Sequence, residues 1–145
     1  MASDIEEICD GVVTHLGTAF PGVYEVSRVT VPRFDIDSLT GAKPVIYVVP
    51  SGRSSTNFNR GFRQYTYTIL VFIAQLMPSM NGDETDDLIE KTIEISNSLE
   101  RLSLTSHKAK EESVSVTLFD TDSLLTENNF RSLVTLTMTG GLRSV

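Results

Sequence analysis

FRQYTYTILVFIAQ, residues 62–75, is the stretch that decides the fold. Tyr65, Tyr67, Ile69, Val71 and Ile73 recur at every second position, the period of a strand with one face on a core. Leu70, Phe72 and Ala74 between them are apolar too. A strand apolar on both faces belongs near the middle of a sheet. Upstream, Val45–Val49 is a continuous apolar run between Pro44 and Pro50, and reads as a second buried strand. The residues joining the two, SGRSSTNFNRG (51–61), are polar and rich in turn formers, and predict a flexible loop.

Further out the pattern changes period. Ser3 and Glu6 make an S-x-x-E capping box, in which each side chain satisfies a backbone N–H of the first turn. Ile5, Ile8, Cys9, Val12, Val13 and Leu16 then fall on one helical face, with acidic residues in the early turns where the helix dipole favours them. Gly17 is the expected C-cap, and Phe20-Pro21-Gly22 stops the helix. Val23–Val31 is rich in β-branched residues and predicts a strand, followed by a loop over 32–44. Downstream, 77–82 is a turn. A second amphipathic helix is expected from near Asp83 to about Ser103, with Leu88, Ile95, Leu99 and Leu102 on its apolar face and Asp83, Glu84, Asp86 and Asp87 at its N-terminus. Residues 113–119 alternate as a strand, 120–129 are a loop, and 130–139 form a last strand with Val134, Leu136 and Met138 inward. Gly140-Gly141 should free a short tail.

The order α-β-β-β-α-β-β predicts an α+β domain: a mostly antiparallel sheet of about five strands with both helices on one face. No repeat, low-complexity segment or linker divides residues 1–145, so a single domain is expected. The chain has 145 residues, 40% of them hydrophobic and 21% charged, enough for a core without cross-links. One cysteine, Cys9, precludes an internal disulfide. Met1–Asp10 carries four acidic residues and no basic one, unlike a secretory signal peptide. No apolar run approaches the ~20 residues of a membrane span. The expectation is a soluble protein, intracellular at synthesis.

Charge is segregated along the chain. Residues 1–37 hold seven acidic and two basic residues. Residues 38–82 hold no acidic residue and four basic ones, Lys43, Arg53, Arg60 and Arg63. Residues 83–127 hold twelve acidic and four basic residues, and Arg131 and Arg143 follow. Folding can mix such segments on one surface, or the basic stretch of one copy can face the acidic stretch of the next. The second reading makes Arg53, Asn59, Arg60, Arg63, Asp86, Asp87, Asp120 and Asp122 candidate contacts with a neighbouring subunit or another protein. A net charge of −7 opposes DNA binding by the whole surface but not DNA passing nearby.

Catalysis needs a nucleophile, a base and a group that orients the base. His15 and His107 lie in no metal-binding spacing, Cys9 falls on the apolar helix face, no G-x-S-x-G surrounds a serine, and no phosphate-binding glycine loop is present. Asp35-x-Asp37 and Asp120-x-Asp122 suit either a hard cation or ordinary Asx turns. The Arg53–Arg63 loop suits either a phosphate or a protein contact. No catalytic residue, metal or cofactor is expected.

Three stretches carry a resemblance: PVIYVVPSGR from Pro44, QYTYTILVFIAQLMPSMNGDETDDLIEKTIEISNSLE from Gln64, and LFDTDSLLTENNFRSLVTLTMT from Leu118. A long strand runs straight into a proline turn and an acidic helix, and an acidic loop leads into a final strand. This pattern is similar to that of the tail terminator proteins of long-tailed bacteriophages, over most of the chain. The resemblance rests on element order and on the strand–proline–acidic helix junction at Phe72–Leu88, not on an invariant motif. It implies a non-enzymatic virion protein, made in the host bacterial cytoplasm, that closes as a ring of about six copies on the head-proximal end of the tail tube. Such a ring stops tube polymerisation and offers a surface to the head-side connector, and DNA passes through its opening without specific binding. The family's contacts are spread over surfaces, so no interface residue is carried over from it. Two alternatives stay open: another neck, head–tail connector or tail completion protein, and a small phosphate- or ligand-binding module.

Overall fold

The computed structural model describes residues 3–29, 44–76, 82–117, 129–140 and 143–144. The first helix, α1 (Asp4–Ala19), starts where the capping box puts it: Ser3 is the N-cap, and its side chain accepts a hydrogen bond from the Glu6 amide. It does not stop at Gly17. It runs to Ala19 and is capped at Phe20, whose N–H donates to the Leu16 carbonyl. Gly17 lies exposed in the last turn, where a glycine weakens a helix by only about 1 kcal/mol without ending it. The reversal comes at Gly22, with φ +75°, which glycine tolerates best.

The sheet contains β1 (Glu25–Arg28), β2 (Val45–Asn59), β3 (Phe62–Leu76), β4 (Lys110–Thr117) and β5 (Asn129–Thr139), in spatial order β1-β2-β3-β5-β4. The pair β1–β2 is parallel, and β2–β3, β3–β5 and β4–β5 are antiparallel. A two-residue strand, β6 (Arg143–Ser144), pairs with Phe62 and Arg63 of β3. The α+β architecture and the order of its main elements are those expected from the sequence. Three details differ. Residues 51–59 are not a loop but the outer half of β2; β1 is shorter than the expected strand; and the end of the chain is not free, since β6 closes onto β3. The expected loops at 32–44 and 120–129 and the turn at 77–82 lie almost wholly outside the described residues.

One face of the sheet carries the core. Tyr67, Ile69, Val71 and Ile73 of β3 are fully buried and stand in register beside Ile46 and Val48 of β2 and Val134, Leu136 and Met138 of β5. Onto this layer α1 brings Ile8, Cys9, Val12 and Leu16. The second helix, α2 (Gly82–Leu99), brings Ile95 and Leu99, packed over β4 and β5. It ends four residues before the expected limit because Arg101 turns into the left-handed region, φ 61°. The two helices are tied together where His15 Nε2 lies 2.9 Å from the Ser98 carbonyl oxygen. On the opposite face Val45 and Ala74 are buried beside Tyr47.

Candidate docking arm

The β2–β3 hairpin is longer than the rest of the sheet. Its strands have 15 residues each, joined through Arg60-Gly61, with Gly61 at φ +105°. β1 covers β2 only from Val45 to Val48, and β5 covers β3 only as far as Thr66. Among the described residues only β6 lies beside the hairpin beyond these points, where it forms an arm. At roughly 3.3 Å per residue the outer part of β2 extends about 30 Å. Ser51 and 53–57 are all exposed, so both faces of this strand meet solvent. That is why its sequence does not alternate. A backbone ladder with 62–69 holds it, and such a ladder sets no pattern of polar and apolar side chains. Register shifts between Pro50 and Gly52 and between Asn57 and Asn59 bend it.

The arm is fastened at its base by a carboxylate. Asp4, in the first turn of α1, accepts hydrogen bonds on Oδ2 from Arg53 Nη1 at 2.8 Å and from the Tyr67 hydroxyl at 2.9 Å. Arg53 also lies over the Tyr65 ring, 4.8 Å from its centroid. On the other side the Gly140 amide donates to the Tyr65 carbonyl, 2.8 Å. A Cβ at Gly140 would stand 3.1 Å from Tyr67 Cε2, a tight contact that the ring would have to ease by a few tenths of an ångström. Burial pushes the Asp4 pKa up, and hydrogen bonds from Arg53, Tyr67 and the Ile5 amide outweigh it, leaving the carboxyl below its ordinary 3.8.

A carboxyl whose pKa is depressed by folding adds stability that is present above its unfolded pKa and is lost as pH falls through the folded one. The native protein should therefore lose stability as pH falls below about 4, to the extent of this one group. Asp4→Asn should lower the unfolding midpoint at neutral pH and flatten that part of the acid profile. Denaturant unfolding from about pH 6 to about pH 2 checks it. Equal acid slopes in the two proteins would remove Asp4 as the fastening group.

The expected contact residues divide. Arg53 is engaged within the chain by Asp4. Arg60 is exposed in the turn at the tip. Arg63 is half-buried and donates to Ser55 Oγ across the hairpin at 2.8 Å. Asn59 is the last residue of β2. Asp86 and Asp87 are exposed near the start of α2, where Asp87 meets Lys91 at 3.0 Å. The structure thus brings Asn59, Arg60 and Arg63 together at the tip and places Asp86 and Asp87 on another element. Asp120 and Asp122 lie outside the described residues, as do Asp35 and Asp37.

Phe62, which the sequence offers as an aromatic among these basic residues but not as a candidate contact, stands between Arg60 and Arg63 and is 43% exposed. The sequence gives no sign of the contact that joins Asp4 to Arg53 and Tyr67, which lie dozens of positions away. His107, in the short 3-10 turn Ser106–Lys108, meets Glu7 of α1 at 2.5 Å. Cys9 is buried in the core, and burial pushes its thiol up to about 12. Among the described residues no three His, Cys, Asp or Glu side chains are grouped to hold a metal ion, and no helix is long and apolar enough to cross a membrane.

No protein-family model and no curated protein matches the chain. A solved structure aligns with 100% of this chain and 96% of its own, at 15% identity and a TM-score of 0.48. At that distance the likeness carries no argument.

Proposed function

We propose that this chain is a structural, non-enzymatic component of a long-tailed bacteriophage virion: a tail terminator. In this reading about six copies close as a ring on the head-proximal end of the tail tube. The ring stops tube polymerisation and provides the joint to the head-side connector, and DNA passes through its opening. The observation that carries the reading is the element order α-β-β-β-α-β-β, folded into one sheet with both helices on one face, which the resemblance implies. The arm supports it, because a strand exposed on both faces offers surface to a neighbour.

Native mass spectrometry of the chain, alone and with tail tubes, tests the proposal. A closed ring of about six copies, alone or only on tubes, is the expected result, together with tubes that no longer elongate. A monomer in both conditions would overturn it. Binding to a head-side component without any to the tube would favour a neck or connector role instead.

The phosphate-binding alternative needs arginines that converge. Arg53 is committed to Asp4, and Arg63, opposite Asn57, stands about 13 Å further along the hairpin at strand spacing. That arrangement speaks against a single anion pocket.

A further inference from the structure

Three large apolar side chains are conspicuously exposed among the described residues: Val23, Phe62 and Ile93, at 41%, 43% and 41%. Two of them have charged surroundings of opposite sign. Phe62 sits at the arm tip between Arg60 and Arg63, and β6 pairing places Arg143 opposite Arg63. The stretch from Ser38 to Gly82 that carries the tip holds no acidic residue of its own. Ile93 lies on the outer side of α2, with Glu94 beside it and Glu90 one turn earlier, both exposed. Asp86 continues this acidic side a further turn back. Among the described residues the only cation paired to this helix is Lys91, with Asp87.

An aromatic side chain flanked by arginines is the composition that concentrates binding energy at protein interfaces. An aliphatic side chain rimmed by glutamates is its electrostatic complement. We infer that the arm tip of one copy docks on the outer face of α2 of a second copy, Phe62 against Ile93 and Arg60 and Arg63 against Glu90 and Glu94. The two patches differ, so the contact is heterologous, and repeating it builds a ring or an open chain. The inference rests on self-assembly, as the terminator reading does, and names the surfaces that meet. Burial of Phe62 and Ile93 lengthens the contact, and the charged rim speeds its formation and makes it sensitive to salt.

The experiment is disulfide trapping in the full chain carrying Phe62→Cys and Ile93→Cys. Both positions are exposed, so neither change touches the core, and the buried Cys9 stays out of exchange. Under mild oxidation the double variant should give a ladder reaching beyond the dimer. Either single variant should stop at the dimer or below. A double variant that forms only an internal disulfide, or no more product than the single ones, overturns the contact.

Charge reversal gives a second reading without cysteine. R60E/R63E and E90R/E94R should each weaken self-association about tenfold or more at low salt, and mixing the two variants should restore it. If R60E/R63E assembles and caps tubes as the native chain does, the inference fails while the terminator reading stands. A full ladder from a chain that leaves tubes uncapped keeps the inference and removes the terminator reading. Loss of duplex DNA retention in R60E/R63E, with no ladder in the double cysteine variant, assigns the tip to phosphate and overturns the contact.

Discussion

Tyr67→Ala should cost the fold about 3–5 kcal/mol in denaturant unfolding, the usual loss for deleting a buried aromatic side chain. Among the described residues Tyr67 is the largest fully buried side chain, and it lies on the central strand β3, in register between Arg53 and Met138. Its ring fills the layer between β3 and the helices, and its hydroxyl reaches the Asp4 carboxylate at 2.9 Å. The two contributions can be separated. Tyr67→Phe keeps the ring and gives up one hydrogen bond to a charged acceptor, about 1.5–3 kcal/mol. A domain of this kind is stable by only about 5–15 kcal/mol, so the alanine variant would have lost a large share of its margin. If both variants lost the same amount, the ring would be contributing nothing beyond its hydroxyl, and the central core would have been misplaced.

Ile95→Ala should cost about 2–5 kcal/mol, and Leu99→Ala a similar amount. Both side chains are fully buried where α2 meets the sheet. The control is Ile93, two positions earlier on the same helix and 41% exposed; Ile93→Ala in the isolated chain should stay within about 0.5 kcal/mol. The contrast depends on which way the helix faces and not on residue type. Equal losses at 93 and 95 would mean that α2 is rotated from the orientation described.

Wherever one face of an element meets the core, the sequence is readable. The 3.6-residue recurrence of Ile8, Val12 and Leu16 and the two-residue recurrence of Tyr67, Ile69, Val71 and Ile73 each mark a buried side, and each side is buried. Where no face is buried, the same reading fails. Serine, threonine and asparagine at 51–59 make a strand because β3 offers them a continuous row of backbone partners, and pairing through the backbone leaves no trace in side-chain chemistry. β6 was hidden in the same way, behind two glycines that looked like a release. At the candidate site, Arg60 and Arg63 are legible as basic residues in a stretch that holds no acidic one. Asp4 was legible only as a helix-start carboxylate, since nothing local links it to Arg53 or Tyr67. Phe62 passed as the first residue of a strand, because its exposure follows from where β5 ends.

The place where β3 meets β5 has a consequence for how the chain reaches this fold. The β2–β3 hairpin closes across two residues and is local in sequence. The Leu76↔Asn129 end of the β3–β5 ladder forms only after the whole intervening stretch, with α2 and β4, has been drawn together. Loop-closure entropy grows slowly with loop length, but it opposes folding before the contacts that offset it exist. The hairpin is therefore the piece best placed to nucleate, and the search for the native topology ends when Val71 finds Val134 and Tyr67 finds Met138.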